Sequence, residues 1–143
     1  MTVAGANGDN LLEVRDLVTA FDTDAGQVTA VDGLSFPVPR GKTLGIVGES
    51  GCGKSVTAMS IMRLLPQPMG RILGGEIAFD GHNLATLDPD AMRSIRGNRI
   101  SMIFQEPMTA LNPVHRIGKQ LAEVLLQHKD ISKQDAWGQS IEM

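Results

Sequence analysis

The sequence is poor in aromatic residues and almost without cysteine: four Phe, one Trp, no Tyr and one Cys in 143 residues. A lone Cys52 excludes an internal disulfide, which fits a reducing cytosol. With aromatics at 3%, eight Met and the many Leu, Ile and Val must fill the core. No basic excess exists either: 13 Lys and Arg against 16 Asp and Glu leave a net charge of −3. Nothing here suggests a nucleic-acid patch or a polybasic anchor, so no nucleic-acid partner is expected. No apolar run approaches the ~20 residues that cross a bilayer. The opening "MTVAGANGDN" lacks the basic and apolar regions of a secretory signal and reads as a disordered leader over 1–10. The expected location is the cytosol, unless a partner holds the chain at a membrane. His82, His115 and His128 are scattered without metal-ligand spacing and read as surface or local structural residues. Hydrophobic content of 42% suits one packed domain or a fragment of a larger one.

What is present is a phosphate cradle. "GESGCGKS" (48–55) matches G-x-x-x-x-G-K-[ST] from Gly48 through Gly53, Lys54 and Ser55. Glycines let the backbone curl round an anion with successive N–H groups inward. The helix that follows aims its positive end at the same place. Lys54 reaches β- and γ-phosphates, and the Ser55 hydroxyl ligates Mg²⁺. Cys52 fills a variable position of the motif and reads as a spacer rather than a reactive thiol. The context fits: "TLGIV" (43–47) is a short apolar run typical of a buried parallel strand, and "SVTAMSIMRLL" (55–65) has helical spacing up to Pro66.

Elsewhere, 11–21 and 27–39 read as strands around the "DTDAG" turn, the second broken by Asp32-Gly33 and the prolines. Residues 66–75 read as loop, and 76–84 as a hairpin turning at Asp80-Gly81. Asp88-Pro89 opens a short helix to about Ile95. "RISMIF" (99–104) is another buried-strand candidate, running into the loop "QEPMTALNP". Residues 116–127 form a helix with Ile117, Leu121, Val124 and Leu125 on one face. Ser132 with Asp135 caps the start of one more.

The cradle followed fifty residues later by Gln105, at a strand end in "MIFQEPMTALNP", resembles the ATP-binding subunits of ABC transporters. The wording "GESGCGKSVTAMSIMRLLP" and "FQEPMTALNPV" looks most like importers of oligopeptides, dipeptides and related solutes. The resemblance covers about 11–143. It implies an α/β phosphate-loop core with an antiparallel β subdomain from 11–42 and 76–84. It also implies ATP and Mg²⁺ as cofactors. Backbone amides of Ser50, Gly51, Cys52 and Gly53 would hold the phosphates in the loop that Gly48 opens, with Lys54 on the β/γ oxygens. Ser55 would bind Mg²⁺, and Gln105 would complete that shell and contact the attacking water. Phe21 would stack on adenine, where the family usually has tyrosine; packing within the hairpin is the competing role. Glu106 reads as a solvated carboxylate, not a base. The implied partners are membrane-spanning permease subunits, met through the Gln105 loop, and a second ATP-binding subunit. The implied place is the cytoplasmic face of the plasma membrane, as a peripheral subunit.

In that family the partner's L-S-G-G-Q segment closes each site, a glutamate after the Walker B aspartate polarises water, and a switch histidine follows. "ILGGEIAFDG" lacks the serine and precedes Gln105, and "LATLDP" is interrupted by Thr86 and ends at a helix start. The sequence therefore reads as the N-terminal half of an ABC ATPase, not hydrolytically competent alone. Two other classes compete. One is another phosphate-loop enzyme, such as a GTPase or small kinase; a GTPase would need N-K-x-D and a D-x-x-G after a strand, and the single D-x-x-G, "DAWG", lies in a capped helix. A non-catalytic nucleotide-binding or interaction module is the third.

Overall fold

The computed structural model describes residues 9–105 and 111–143. The expected leader thus falls largely outside the described residues, as do the central residues 106–110 of the loop after Gln105. The chain divides after Pro89 into two compact units.

The first unit is built on one antiparallel sheet. Strand β1 (Asn10–Thr23) and β2 (Gly26–Pro39) form a long hairpin, and β3 (Gly70–Phe79) and the two-residue β4 (His82–Asn83) extend it in the order β2-β1-β3-β4. β1 lies between two neighbours, which is why Val14, Leu17, Thr19 and Ala20 are buried. Leu17 and Ile77 are fully enclosed, each stabilising the fold by about 1.5–3 kcal/mol over its exposed state. Arg15 and Glu76 face each other across β1 and β3, and the guanidinium bonds Glu76 at 2.7 Å and Glu13 at 2.9 Å. These hydrogen bonds, Glu13 first, raise the Arg15 pKa above its ordinary value.

Several sequence expectations need correction here. β2 is not broken at Asp32-Gly33; the pairing slips by one residue between Thr19↔Val31 and Leu17↔Leu34, a bulge that absorbs the glycine. Residues 70–75 are strand, not loop, because pairing with β1 from Phe21↔Gly70 onward overrides the glycine-rich composition. Helix α1 (Lys54–Ile61) stops well before Pro66. Arg63 adopts a left-handed conformation, its N–H bonds Ser60 O, and Leu64 N–H bonds Met59 O, which ends the helix in a Schellman turn. The run 43–47 is not a strand, and Val47 is 92% exposed. A parallel strand needs hydrogen-bonded neighbours, and none lies beside this run among the described residues. The Asp80-Gly81 hairpin turn forms as expected, with Phe79 paired to His82.

The second unit is helical. α2 (Pro89–Ile95) starts at the expected proline, followed by α3 (Ile117–His128) and α4 (Lys133–Glu142). The 99–104 strand is absent: Arg96 and Ile100 make one isolated bridge, and Ile103 is 90% exposed. On α3, Ala122 is buried while Ile117 and Val124 are exposed, so the stripe that packs is narrower than its apolar pattern suggests. Ser132 caps α4 as expected, its hydroxyl accepting from Asp135 N–H at 3.1 Å and donating to the Asp135 carboxylate at 2.6 Å. No helix among the described residues is long and apolar enough to cross a membrane.

Candidate functional site

The loop 48–55 follows the run 43–47 and enters α1 through Gly53, which sits at the helix N-cap with φ 90°. A side chain there would be strained, and its Cβ would stand 2.6 Å from the Ala30 carbonyl oxygen of β2. The loop end is therefore seated against the hairpin backbone. At the other end, the Cys52 thiol folds over Gly48, 2.5 Å from where a Cβ would stand. The thiol is exposed and can rotate aside, so this contact places Cys52 over Gly48 without demanding a glycine there.

Lys54 completes the turn from inside. Its Nζ donates to Gly48 O at 2.7 Å and Glu49 O at 2.6 Å, and lies 3.4 Å from Cys52 Sγ. The ammonium is thus held at the mouth of the loop by neutral carbonyls, which exchange readily for anionic oxygens. Ser55 is exposed in the first turn of α1, and that turn carries no carboxylate to offset the positive helix end. This donor set fits a phosphate chain: close-approach glycines, one ammonium, and a hydroxyl at a helix start. Among the described residues no cluster of three His, Cys, Asp or Glu could hold a metal by itself. Mg²⁺ needs none, since it is commonly held by one or two protein oxygens together with phosphates and water.

Phe21 lies on β1 opposite Val28 and Gly70. Its Cε1 is 3.0 Å from a would-be Cβ on Gly70, beside Leu65, so the half-buried ring packs over a strand with no side chain to displace it. Gln105 is exposed and belongs to the second unit, whereas the cradle belongs to the first. A concavity of about 520 Å³ in the second unit, bordered by Lys119, Glu123 and Trp137, contains none of these residues. A phosphate loop binds through backbone N–H groups on an open turn, so enclosure is a poor guide to it.

Two polar features escape the sequence reading. Thr19 Oγ1 and Ser60 Oγ are 2.9 Å apart and wholly buried, joining β1 to α1. Gln120 accepts from Asn112 N–H at 2.9 Å and donates to Asn112 O and His115 O, both at 3.0 Å, pinning 112–115 to α3. Neither has a sequence signal beyond a polar residue inside an element.

A family model described as "ABC transporter" matches residues 31–142. The probable peptide ABC transporter ATP-binding protein y4tR of Sinorhizobium fredii is 52% identical over 135 residues, covering 94% of this chain and 40% of that protein. The oligopeptide transport ATP-binding protein OppD of Bacillus subtilis is 50% identical over 133 residues, covering 93% of this chain and 37% of OppD. Among solved structures, the dimeric bacterial ABC transporter cassette MJ0796 matches with a TM-score of 0.76 at 20% identity, over 92% of this chain and 54% of the cassette. The chain thus spans about 40% of the length of the curated relatives it matches.

Proposed function

The chain belongs to the ABC transporter family, and on that premise we propose that it is the ATP-binding N-terminal part of a subunit that powers peptide import. The observation that carries this is the Lys54 ammonium, poised on the carbonyls of Gly48 and Glu49 within a loop seated by Gly53 against β2. Backbone amides of Ser50, Gly51, Cys52 and Gly53 hold the phosphates, and Lys54 transfers to the β/γ oxygens. Ser55 supplies a hydroxyl to Mg²⁺, which on binding neutralises charge on those oxygens. Phe21 offers a ring face for adenine, and Gln105 is assigned to the metal shell and the water.

Peptides as cargo follow from the names of relatives near half identity, among them an oligopeptide transport protein. Residues 11–143 are assigned to the first half of an ATP-binding domain. The signature segment, the Walker B strand with its glutamate, and the switch histidine are assigned to the further length the relatives possess. The partners proposed are permease subunits, docked through the loop after Gln105, and a second ATP-binding subunit. The proposed location is the cytoplasmic face of the plasma membrane, as a peripheral subunit. Two measurements on the complete protein test the reading: titration with Mg·ATP, and uptake of labelled peptides by cells. Lys54→Ala should abolish both. Unchanged ATP affinity in Lys54→Ala would remove the cradle assignment, and unchanged peptide uptake would remove the cargo assignment.

A further inference from the structure

The face of α1 that meets the sheet is small and hydroxylated. Gly53, Thr57 and Ser60 recur at helical spacing along it; Thr57 is 2% and Ser60 0% exposed. The Ser60 hydroxyl donates to Val56 O at 2.7 Å, so its single proton is committed. The 2.9 Å contact with Thr19 must then run from the Thr19 hydroxyl to Ser60 Oγ. A directed chain results: Thr19 O–H to Ser60, Ser60 O–H to the carbonyl of Val56. That carbonyl sits in the helix turn that carries Lys54 and Ser55.

The other end of the helix face is gripped by the neighbouring strand. Thr19 pairs with Val31 across β1 and β2. A Cβ on Gly53 would lie 3.5 Å from the Val31 side chain and 2.6 Å from the Ala30 carbonyl. One cross-strand pair therefore faces both ends of α1: Val31 against the N-cap and Thr19 against Ser60. A helix of eight residues gripped at both ends has little freedom to shift, and its N-terminus is the loop.

We propose that Thr19 is a positioning residue: acting through Ser60, it fixes α1 on the hairpin and so sets the phosphate loop in its nucleotide-ready place. The inference rests on the nucleotide reading above for its functional consequence, though not for its mechanical one. Thr19→Val keeps the shape and removes the donor; Thr19→Ser keeps the donor and removes a methyl.

The test compares these variants in the complete protein by Mg·ATP titration and by amide hydrogen exchange. Thr19→Val should weaken ATP binding about three- to tenfold, the scale of one lost buried hydrogen bond. It should also speed exchange at residues 57–61, leaving the β1–β3 ladder around Val14 and Ile77 unchanged. Thr19→Ser should stay within about twofold of the parent. Ser60→Ala should match Thr19→Val, and the double variant should lose little more than either, since both cut one chain. Should Thr19→Val fail to fold, Ser60→Ala with Thr19→Ser makes the same comparison. Unchanged exchange at 57–61, no rescue by serine, or loosening spread evenly through the sheet would each overturn the proposal. If the parent binds no nucleotide while Thr19→Val still loosens 57–61 selectively, the nucleotide reading fails and the positioning role stands.

Discussion

At the scale of single residues, the proposed cradle rests on phosphate chemistry, which constrains residue type at fixed spacing. Gly48, Gly53, Lys54 and Ser55 could be assigned from the motif alone. The partners of Lys54 before a phosphate arrives could not be, nor could the seat of Gly53, because both depend on where β2 and the loop carbonyls lie. The two left-handed glycines of the loop separate backbone strain from steric fit. Gly51 has φ 85° and open space where a Cβ would go, whereas Gly53 has φ 90° and a carbonyl oxygen at 2.6 Å. Gly51→Ala should therefore cost only left-handed strain, about 1–2 kcal/mol. Gly53→Ala adds a backbone clash that nothing flexible can relieve, and should displace the loop from β2. Melting temperatures and Mg·ATP titrations of the two variants decide this. Equal losses in both would mean the approach of Gly53 to Ala30 does not hold the loop.

At the scale of elements, legibility followed how local the determining interactions are. The Asp80-Gly81 turn, the proline start of α2 and the Ser132 cap were readable because each is settled within a few residues. The composition of 70–75 points to loop because three glycines, Gly70, Gly74 and Gly75, disguise a stretch held as strand by its pairing with β1. α1 was overextended because its apolar spacing continues to Leu65, while the left-handed Arg63 ends it. Arg63 is held there by bonds from its guanidinium to Leu84 O and Leu87 O, residues distant in sequence. The Ser132 cap supports a direct test. Ser132→Ala removes the acceptor for Asp135 N–H and should destabilise α4 by about 0.5–2 kcal/mol. Loss of protection at the amides of 135–137 should report it, with the β1–β3 ladder unchanged. Unaltered protection would show that α4 is held by packing on α3 rather than by its cap.

At the scale of the whole molecule, the two apolar runs that read as buried strands are the most informative misfit. Leu44, Ile46, Val47, Ile103 and Phe104 are between 41% and 92% exposed. Being in water, their backbones are hydrated, so the deficit is not one of buried unsatisfied groups. It is burial not realised, about 1.5–3 kcal/mol for each such side chain if fully enclosed, against about 5–15 kcal/mol for the stability of an ordinary domain. Both runs have the apolar composition of strands but are not strands, because no neighbouring strand lies beside either among the described residues. The antiparallel sheet is different, since β1 to β4 satisfy one another within the first unit. A polypeptide of 143 residues should therefore melt broadly and associate through its open apolar runs. Exchange protection should survive in β1 and β3 and be absent at 43–47 and 101–104. The same polypeptide should release no phosphate from Mg·ATP above a Lys54→Ala control, since Gln105 can position water but the glutamate that polarises it is assigned to the further length of the relatives. Extending the chain to the length of its relatives should sharpen the melt, bring protection to 43–47, and yield Lys54-dependent turnover. Circular dichroism with size-exclusion chromatography on both lengths separates the outcomes. A sharp, cooperative melt from a monodisperse 143-residue monomer would show that the open runs cost little, and would favour a self-sufficient module over half of a domain.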